Sequence, residues 1–192
     1  ELGQLVTSTA TDPNGSTSEL SPRIVFSISP LSGPPAAGLL FAVRGTNFAA
    51  GATITLGGIP ATDIVLVNST QVEGRTPALA AGALSDVTLT NVDGSSGTLS
   101  KGYVTDFNDV PQNQTFHAYV TTLVSNGITA GVGGGNYGVA SSTLRQQMAV
   151  FLLKAKYGVC YVPPACTPGF FADVPCPSTF AAWIQALASE GI

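Results

Sequence analysis

The sequence is short of charge. Among 192 residues only 9% are Asp, Glu, Lys or Arg, and seven basic residues against eleven acidic ones leave a net charge of −4. A chain of that sign lacks the cations needed to neutralise phosphates or to lie on anionic lipid, so nucleic acid is excluded as a partner and a membrane surface is disfavoured. Catalytic side chains are equally scarce: one His, one Met, one Trp and three Cys are present, and an imidazole-based site has only His117 to build on. That inventory predicts a protein with no catalytic residues, no metal site and no cofactor. Uninterrupted apolar runs of about 18 residues are also missing, which argues against a membrane-spanning helix. The sequence opens at Glu1 with neither Met nor a basic segment leading into an apolar one, so any signal peptide is expected to have been removed or to lie outside it.

What is abundant is apolar and small. Hydrophobic residues make up 44%, with 22 Gly and 13 Pro, enough to bury the core of one large domain or two small ones and too little charge for disorder. Abundant Thr, Ser, Gly and Asn, with Cys166 and Cys176 in a Pro-rich stretch, point to an extracellular setting.

Composition changes twice along the chain. Residues 1–22 carry little apolar weight and contain the turn former Asp12-Pro13-Asn14-Gly15, which reads as a tail or linker; within it Leu2 to Thr9 is suited to pairing as an exchanged strand with a neighbour's sheet edge. From 23 to 106 apolar residues alternate with small polar ones (Ile24, Phe26, Ile28; Phe41, Val43; Ile54, Leu56; Ile64, Leu66; Val87, Leu89). Period two predicts strands, and turn chemistry at Ser32-Gly33-Pro34-Pro35, Gly51, Gly57-Gly58, Asn68-Ser69 and Asp93-Gly94 separates them. About seven short antiparallel strands with no crossover helix imply a small sandwich.

This stretch resembles an IPT/TIG domain, which has an immunoglobulin-like fold. The resemblance rests on Ser29-Pro30 before a Gly turn, Gly45-Thr46-Asn47-Phe48 after the second strand, Gly57-Gly58 with Pro60-Ala61-Thr62, Thr76-Pro77, and Val87 to Asn91 running into an Asp-Gly turn. Each motif has a structural reading: glycine takes positive φ, Phe48 plugs the sandwich end, and prolines blunt strand ends. The DNA-binding members of that family use basic loops, which are missing here, so spacer, adhesive or assembly modules are what the resemblance implies.

Past Asp106 the period becomes helical and the chain repeats itself. Residues 107–128, FNDVPQNQTFHAYVTTLVSNGI, align without a gap with 171–192, FADVPCPSTFAAWIQALASEGI, at an offset of 64. Thr115 and Thr179 are the expected N-caps. Phe116, Tyr119, Val120, Leu123 and Val124 form an apolar stripe at helical spacing, and Gly127 is the stop. A second helix is expected from a cap at Ser142 or Thr143, with Leu144, Met148, Phe151, Leu152 and Ala155 on its buried face and Gly158 at its end. Residues 107–160 would be one helix–loop–helix unit, and 161–192 a linker with half of a second.

That unit, with FNDVP before the first helix, GITAGVGGGNYG in the loop and TLRQQMAVFLLKA opening the second helix, resembles an S-layer homology (SLH) repeat. Such repeats usually come in threes, with grooves between them that bind an anionic cell-wall glycan. The family's Thr-Arg-Ala-Glu motif falls on Leu144-Arg145-Gln146-Gln147, so the resemblance implies Arg145 and Gln147 as glycan-contacting residues. Arg145 keeps the planar fork suited to a carboxylate, whereas Leu144 and Gln147 depart from the pattern. The second copy breaks off at Ile192, so its stripe is expected to be covered by further chain or by neighbouring subunits.

Several sharper readings compete with plain ones. The loop Gly131 to Gly138 lacks the Lys and Ser/Thr of a P-loop, so it reads as a repeat loop and not a phosphate cradle. His117 has no ligand at metal spacing and reads as a surface residue. Asp109 and Asp173 are expected to accept backbone N–H bonds ahead of a helix, with calcium binding as the rival. A Cys166–Cys176 disulfide is favoured, contributing roughly 2–3 kcal/mol; Cys160 is then left over or competes for Cys166.

The reading is an immunoglobulin-like β-sandwich followed by SLH-type helical repeats, in a secreted, non-catalytic cell-surface protein. Its expected partners are copies of itself in a layer or filament and a cell-envelope glycan. The rivals are a carbohydrate-binding adhesin, which needs an exposed aromatic platform from among Tyr103, Tyr119, Tyr137, Tyr157, Tyr161 and Trp183, and a non-catalytic fragment of a larger glycan-acting enzyme.

Overall fold

The computed structural model describes residues 9–11, 17–19 and 25–192. In the tail, β1 (Thr9–Thr11) pairs antiparallel with β2 (Thr17–Glu19). The exchanged-strand reading of Leu2 to Thr9 lies, apart from Thr9, outside the described residues.

The strands that follow are β3 (Val25–Ser29), β4 (Ser32–Gly33), β5 (Leu40–Gly45), β6 (Thr53–Leu56), β7 (Ile59–Pro60), β8 (Thr62–Asn68), β9 (Gln71–Arg75), β10 (Leu84–Thr90) and β11 (Ser96–Thr105). They form two sheets, ordered β3-β5-β9-β8 and β4-β11-β10-β6-β7. The alternation seen in sequence becomes inside and outside: Phe41, Val43 and Val72 of one sheet meet Ile54, Leu56, Val87 and Leu89 of the other, all essentially buried. Burying each such side chain contributes roughly 1.5–3 kcal/mol.

The IPT/TIG-like motifs tie off one end of the sandwich. Asn47 adopts φ 59°, turning the chain so that Phe48 enters the core. The buried Asn91 side chain knots this turn to the Asp-Gly turn: it donates to the Asn47 carbonyl (2.9 Å) and the Ser95 hydroxyl (3.1 Å), and accepts from Ala49 N–H (3.1 Å).

Two expectations for this unit are corrected. Ser32-Gly33 is not part of a turn; it is β4, which pairs parallel with the end of β11 through Val104↔Ser32 and Thr105↔Gly33. The reason is steric: a Cβ on Gly33 would lie 2.3 Å from the Tyr103 hydroxyl, so only glycine lets this backbone approach. Tyr103 in turn is fully buried, which removes it from any aromatic binding platform. Desolvation, with a smaller contribution from the nearby Asp106 carboxylate, pushes its pKa up to about 12.

A second compact unit runs from Asn108 to Ile192. It contains α1 (His117–Ser125), α2 (Arg145–Tyr157) and α3 (Ala181–Ser189), and α2 packs on α3. The expected N-caps are not used. Phe116 and Phe180 occupy the cap positions of α1 and α3 with no side-chain hydrogen bond, because the preceding turns supply backbone acceptors: His117 N–H donates to the Gln114 carbonyl (3.0 Å) and Ala181 N–H to that of Ser178 (3.1 Å). For α2 the cap position is Leu144, not Ser142 or Thr143. The Gly127 stop is a Schellman turn: Gly127, at φ 68°, donates to the Val124 carbonyl (2.9 Å) and Ile128 to that of Leu123 (3.0 Å).

The buried face of α1 keeps Val120 and Val124 of the expected stripe, whereas that of α2 is turned from the one expected. In α1 the buried residues are Val120, Thr121 and Val124, while Tyr119 is 68% exposed; in α2 they are Ala149 and Leu153, with Leu144, Met148 and Leu152 exposed. Apolar content here is broad enough to allow more than one stripe, and packing selects the face bearing the smaller residues, which lets backbones approach closely.

Candidate functional site

The Gly-rich loop explains the repeated Asp-Val-Pro turn. Asp109 does not cap its own helix. Its carboxylate accepts from three consecutive backbone N–H groups some thirty residues on, those of Tyr137 (2.7 Å), Gly138 (2.7 Å) and Val139 (3.3 Å). Desolvation opposes the charged form, but these N–H bonds outweigh it and hold the Asp109 carboxyl below its ordinary range. The loop is thus an anion cradle filled by the protein's own carboxylate, which is why it carries positive-φ glycines at 131, 133, 134, 135 and 138 and no phosphate-binding Lys.

Between α2 and α3 lies an open cleft of about 690 Å³. Leu144, Arg145, Gln146 and Ala149 form its α2 side; Phe171, Asp173 and Val174 come from the second copy's Asp-Val-Pro turn; Ile184, Leu187 and Ala188 come from α3, with Ile192 beyond it. Arg145 is exposed in this cleft, and among the described residues it makes no hydrogen bond or ion pair. It stands in the first turn of α2, where the helix dipole opposes a cation by about 0.3–1 kcal/mol, so helix stability does not account for it. Gln147 does not line the cleft. Its Oε1 accepts from the Leu144 N–H at 2.9 Å, closing one arm of a capping box. The other arm needs a hydroxyl at position 144, and Leu144 has none.

The wall behind α3 is stapled. Cys166 and Cys176 are disulfide-bonded with Cα atoms 5.9 Å apart, and Cys160 is free and exposed. The buried Gln185 side chain grips the adjacent peptide as a strand would, accepting from Thr167 N–H (2.8 Å) and donating to its carbonyl (2.9 Å). Sequence reasoning missed this residue, since only the fold brings it beside the disulfide loop. At the far end Glu190 accepts from both Lys156 and Tyr157 of α2. Among the described residues no group of three or more His, Cys, Asp or Glu is placed to hold a metal ion.

A family model for the IPT/TIG domain matches residues 24–105, and one for the S-layer homology domain matches residues 106–149. The chain carries an IPT/TIG domain followed by an S-layer homology domain. It is a cell-surface protein, and among the described residues no helix is long and apolar enough to cross a membrane. Arg145 and Gln147 fall inside the S-layer homology match, whereas the disulfide and α3 lie beyond it. No curated protein matches the chain.

Among solved structures, an auxiliary nutrient binding protein from Bacteroides ovatus is 24% identical over 44% of this chain and 21% of its own, with a TM-score of 0.35. The extracellular region of plexin A4 is 17% identical over 42% of this chain and 8% of its own (TM-score 0.37). The SGBP-B protein of a Bacteroides ovatus mixed-linkage glucan utilization locus, solved with a heptasaccharide, is 17% identical over 51% and 28% (TM-score 0.34). This chain therefore spans about a fifth of the first of these proteins. Scores this low carry no argument about its function.

Proposed function

We propose that this is a non-catalytic protein attached to the cell envelope through its S-layer homology part, with the IPT/TIG sandwich as a spacer or display module. The partner is an acidic envelope glycan, and Arg145 is the residue that recognises it. The observation supporting this reading is an unpaired guanidinium at a helix N-terminus inside an open cleft. The fork and the helix dipole favour an anion there. Gln147 serves the site by fixing the helix start that presents Arg145.

Attachment is favoured over assembly with copies of this chain, which draws no support from the comparisons. The adhesin reading is weakened by the aromatic geometry. Tyr157 stacks on Tyr161 (centroids 4.8 Å apart) and Tyr161 meets Trp183 edge-on (5.9 Å), so these rings pack on one another and do not present one flat sugar platform.

Co-sedimentation with purified envelope glycan tests the proposal. Retention is expected to fall at least tenfold in Arg145→Ala, with Arg145→Lys intermediate because it keeps charge but loses the fork. Undiminished retention of Arg145→Ala would overturn the assignment. Release of new reducing ends from the glycan by the chain itself would overturn the non-catalytic reading.

A further inference from the structure

The sandwich has a cleft of its own, of about 510 Å³, on the outer face of the sheet that holds β6, β10 and β11, and its lining falls wholly inside the IPT/TIG match. It carries a row of hydroxyls. Thr88 of β10 stands opposite Thr55 of β6 and Thr98 of β11, and the Thr88 and Thr98 hydroxyls are 2.9 Å apart. These threonines alternate with the buried Ile54, Leu56, Val87 and Leu89, so they share the outer face. Two residues before Thr88 the ladder is interrupted. Residues 100–102 face the single Asp86, and in this bulge Lys101 takes φ 54°, a left-handed backbone that lysine resists. Asp86 holds it there: its Oδ1 accepts from Lys101 N–H at 2.7 Å, while Gly57 N–H donates to the Asp86 carbonyl at 2.8 Å. The two side chains do not pair with each other. Among the described residues the Lys101 ammonium and the second Asp86 oxygen have no hydrogen-bond or ion-pair partner, and both residues are exposed. Gly57 and Gly58 line the same cleft with bare backbone.

We propose that this cleft binds a neutral sugar, with Lys101 as donor, Asp86 as acceptor and the threonine hydroxyls serving as either. The charges select the class. One cation and one anion line the cleft, so their fields cancel and a charged ligand gains little, whereas a free donor, a free acceptor and hydroxyls that do both match a ring bearing several hydroxyl groups. The strained backbone supports a role in binding. A glycine at 101 would take φ 54° without strain, and what lysine adds at that position is an ammonium donor in the cleft. No aromatic ring lines the site, so affinity rests on hydrogen bonds exchanged with water and is expected in the millimolar range. The inference is independent of the Arg145 reading, which concerns an acidic glycan and the helical unit.

Chemical-shift titration of the whole chain tests it, with the methyl glycosides of glucose, galactose, mannose and N-acetylglucosamine as probes and methyl glucuronide as the charged control. At least one neutral glycoside is expected to give saturable shifts at 55–58, 86–88 and 98–101 that added salt does not remove. Lys101→Gly is expected to weaken that binding at least tenfold, and Thr88→Val, which removes a hydroxyl at nearly constant shape, severalfold. Lys101→Gly should also raise the Tm of the sandwich by relieving the left-handed strain, which separates lost binding from lost folding. Arg145→Ala should leave these shifts unchanged, so that failure of the acidic-glycan reading and failure of this one are told apart. No saturable shift with any of the four neutral glycosides, full binding retained in Lys101→Gly or in Thr88→Val, or binding of methyl glucuronide alone that salt abolishes, overturns the inference.

Discussion

The sandwich and the helical unit hold themselves together by different means. Between β3 and β11 the core is a continuous body of buried aliphatic and aromatic side chains drawn from both sheets. From 108 onward only Val110, Val120, Val124, Ala149, Leu153 and Ala181 are buried hydrophobics, and order depends on the Asp109 clasp, the disulfide and the Gln185 grip. A small helical unit with a thin core needs such staples, whereas a sandwich with two apolar faces does not. Burial is non-directional, so the first unit should fail by cavity formation. The second should fail by release of individual backbone contacts.

The largest expected effect is in the sandwich. Phe41 is fully buried between the sheets, and Phe41→Ala should cost about 3–5 kcal/mol, read as a fall in the denaturant midpoint of the β signal. If the helical signal around 222 nm fell in step with it, the contrast between the units would be broken. Replacing both Cys166 and Cys176 with Ser should cost the helical unit roughly 2–3 kcal/mol, and the sandwich nothing, by the loop-entropy estimate.

Next comes the clasp. Asp109→Asn weakens a charged acceptor serving three N–H groups and should cost about 1–2 kcal/mol, with faster amide exchange at 137–139. It should also remove a pH dependence. Folding lowers the Asp109 pKa, so the clasp is at full strength above the ordinary value of 3.8 and is lost as pH falls through the lower folded value. Protection at 137–139 that stayed constant from pH 6 to pH 2 in the unaltered chain would contradict this. The smallest effect has the opposite sign: Leu144→Thr supplies the missing arm of the capping box and should stabilise the helical unit by about 0.5–1 kcal/mol, measured as a rise in its Tm.

Legibility differed between the units for the same reason. Strand alternation is imposed by a two-sided sheet with one buried face, so Phe41, Val43, Ile54, Leu56, Val87 and Leu89 can be placed inward from spacing alone; Phe26 is the exception, 44% exposed beside a buried Val25, because the β3 register shifts between Val25 and Ser27. Short helices rich in Ala, Leu and Val offer several apolar stripes, and helical spacing places Tyr119 and Met148 inward although both are exposed. Of the cleft, the position of Arg145 at the start of α2 is legible through the motif around it, and its role there is the proposal. Asp109's target and Gln185's grip are not legible, because their partners lie 28–30 and 18 residues away, and nothing local distinguishes such a pairing from a helix cap.

The order of the units, most strand faces, the internal repeat and the cysteine loop follow from the sequence, because period, turn chemistry and self-similarity are local properties of a chain. That Ser32-Gly33 is a strand, that the glycine loop folds around a carboxylate, and that Gln185 grips the disulfide loop came from the tertiary structure alone. Those outcomes depend on which distant backbone groups arrive beside a given side chain, and that arrival is settled by packing the whole unit.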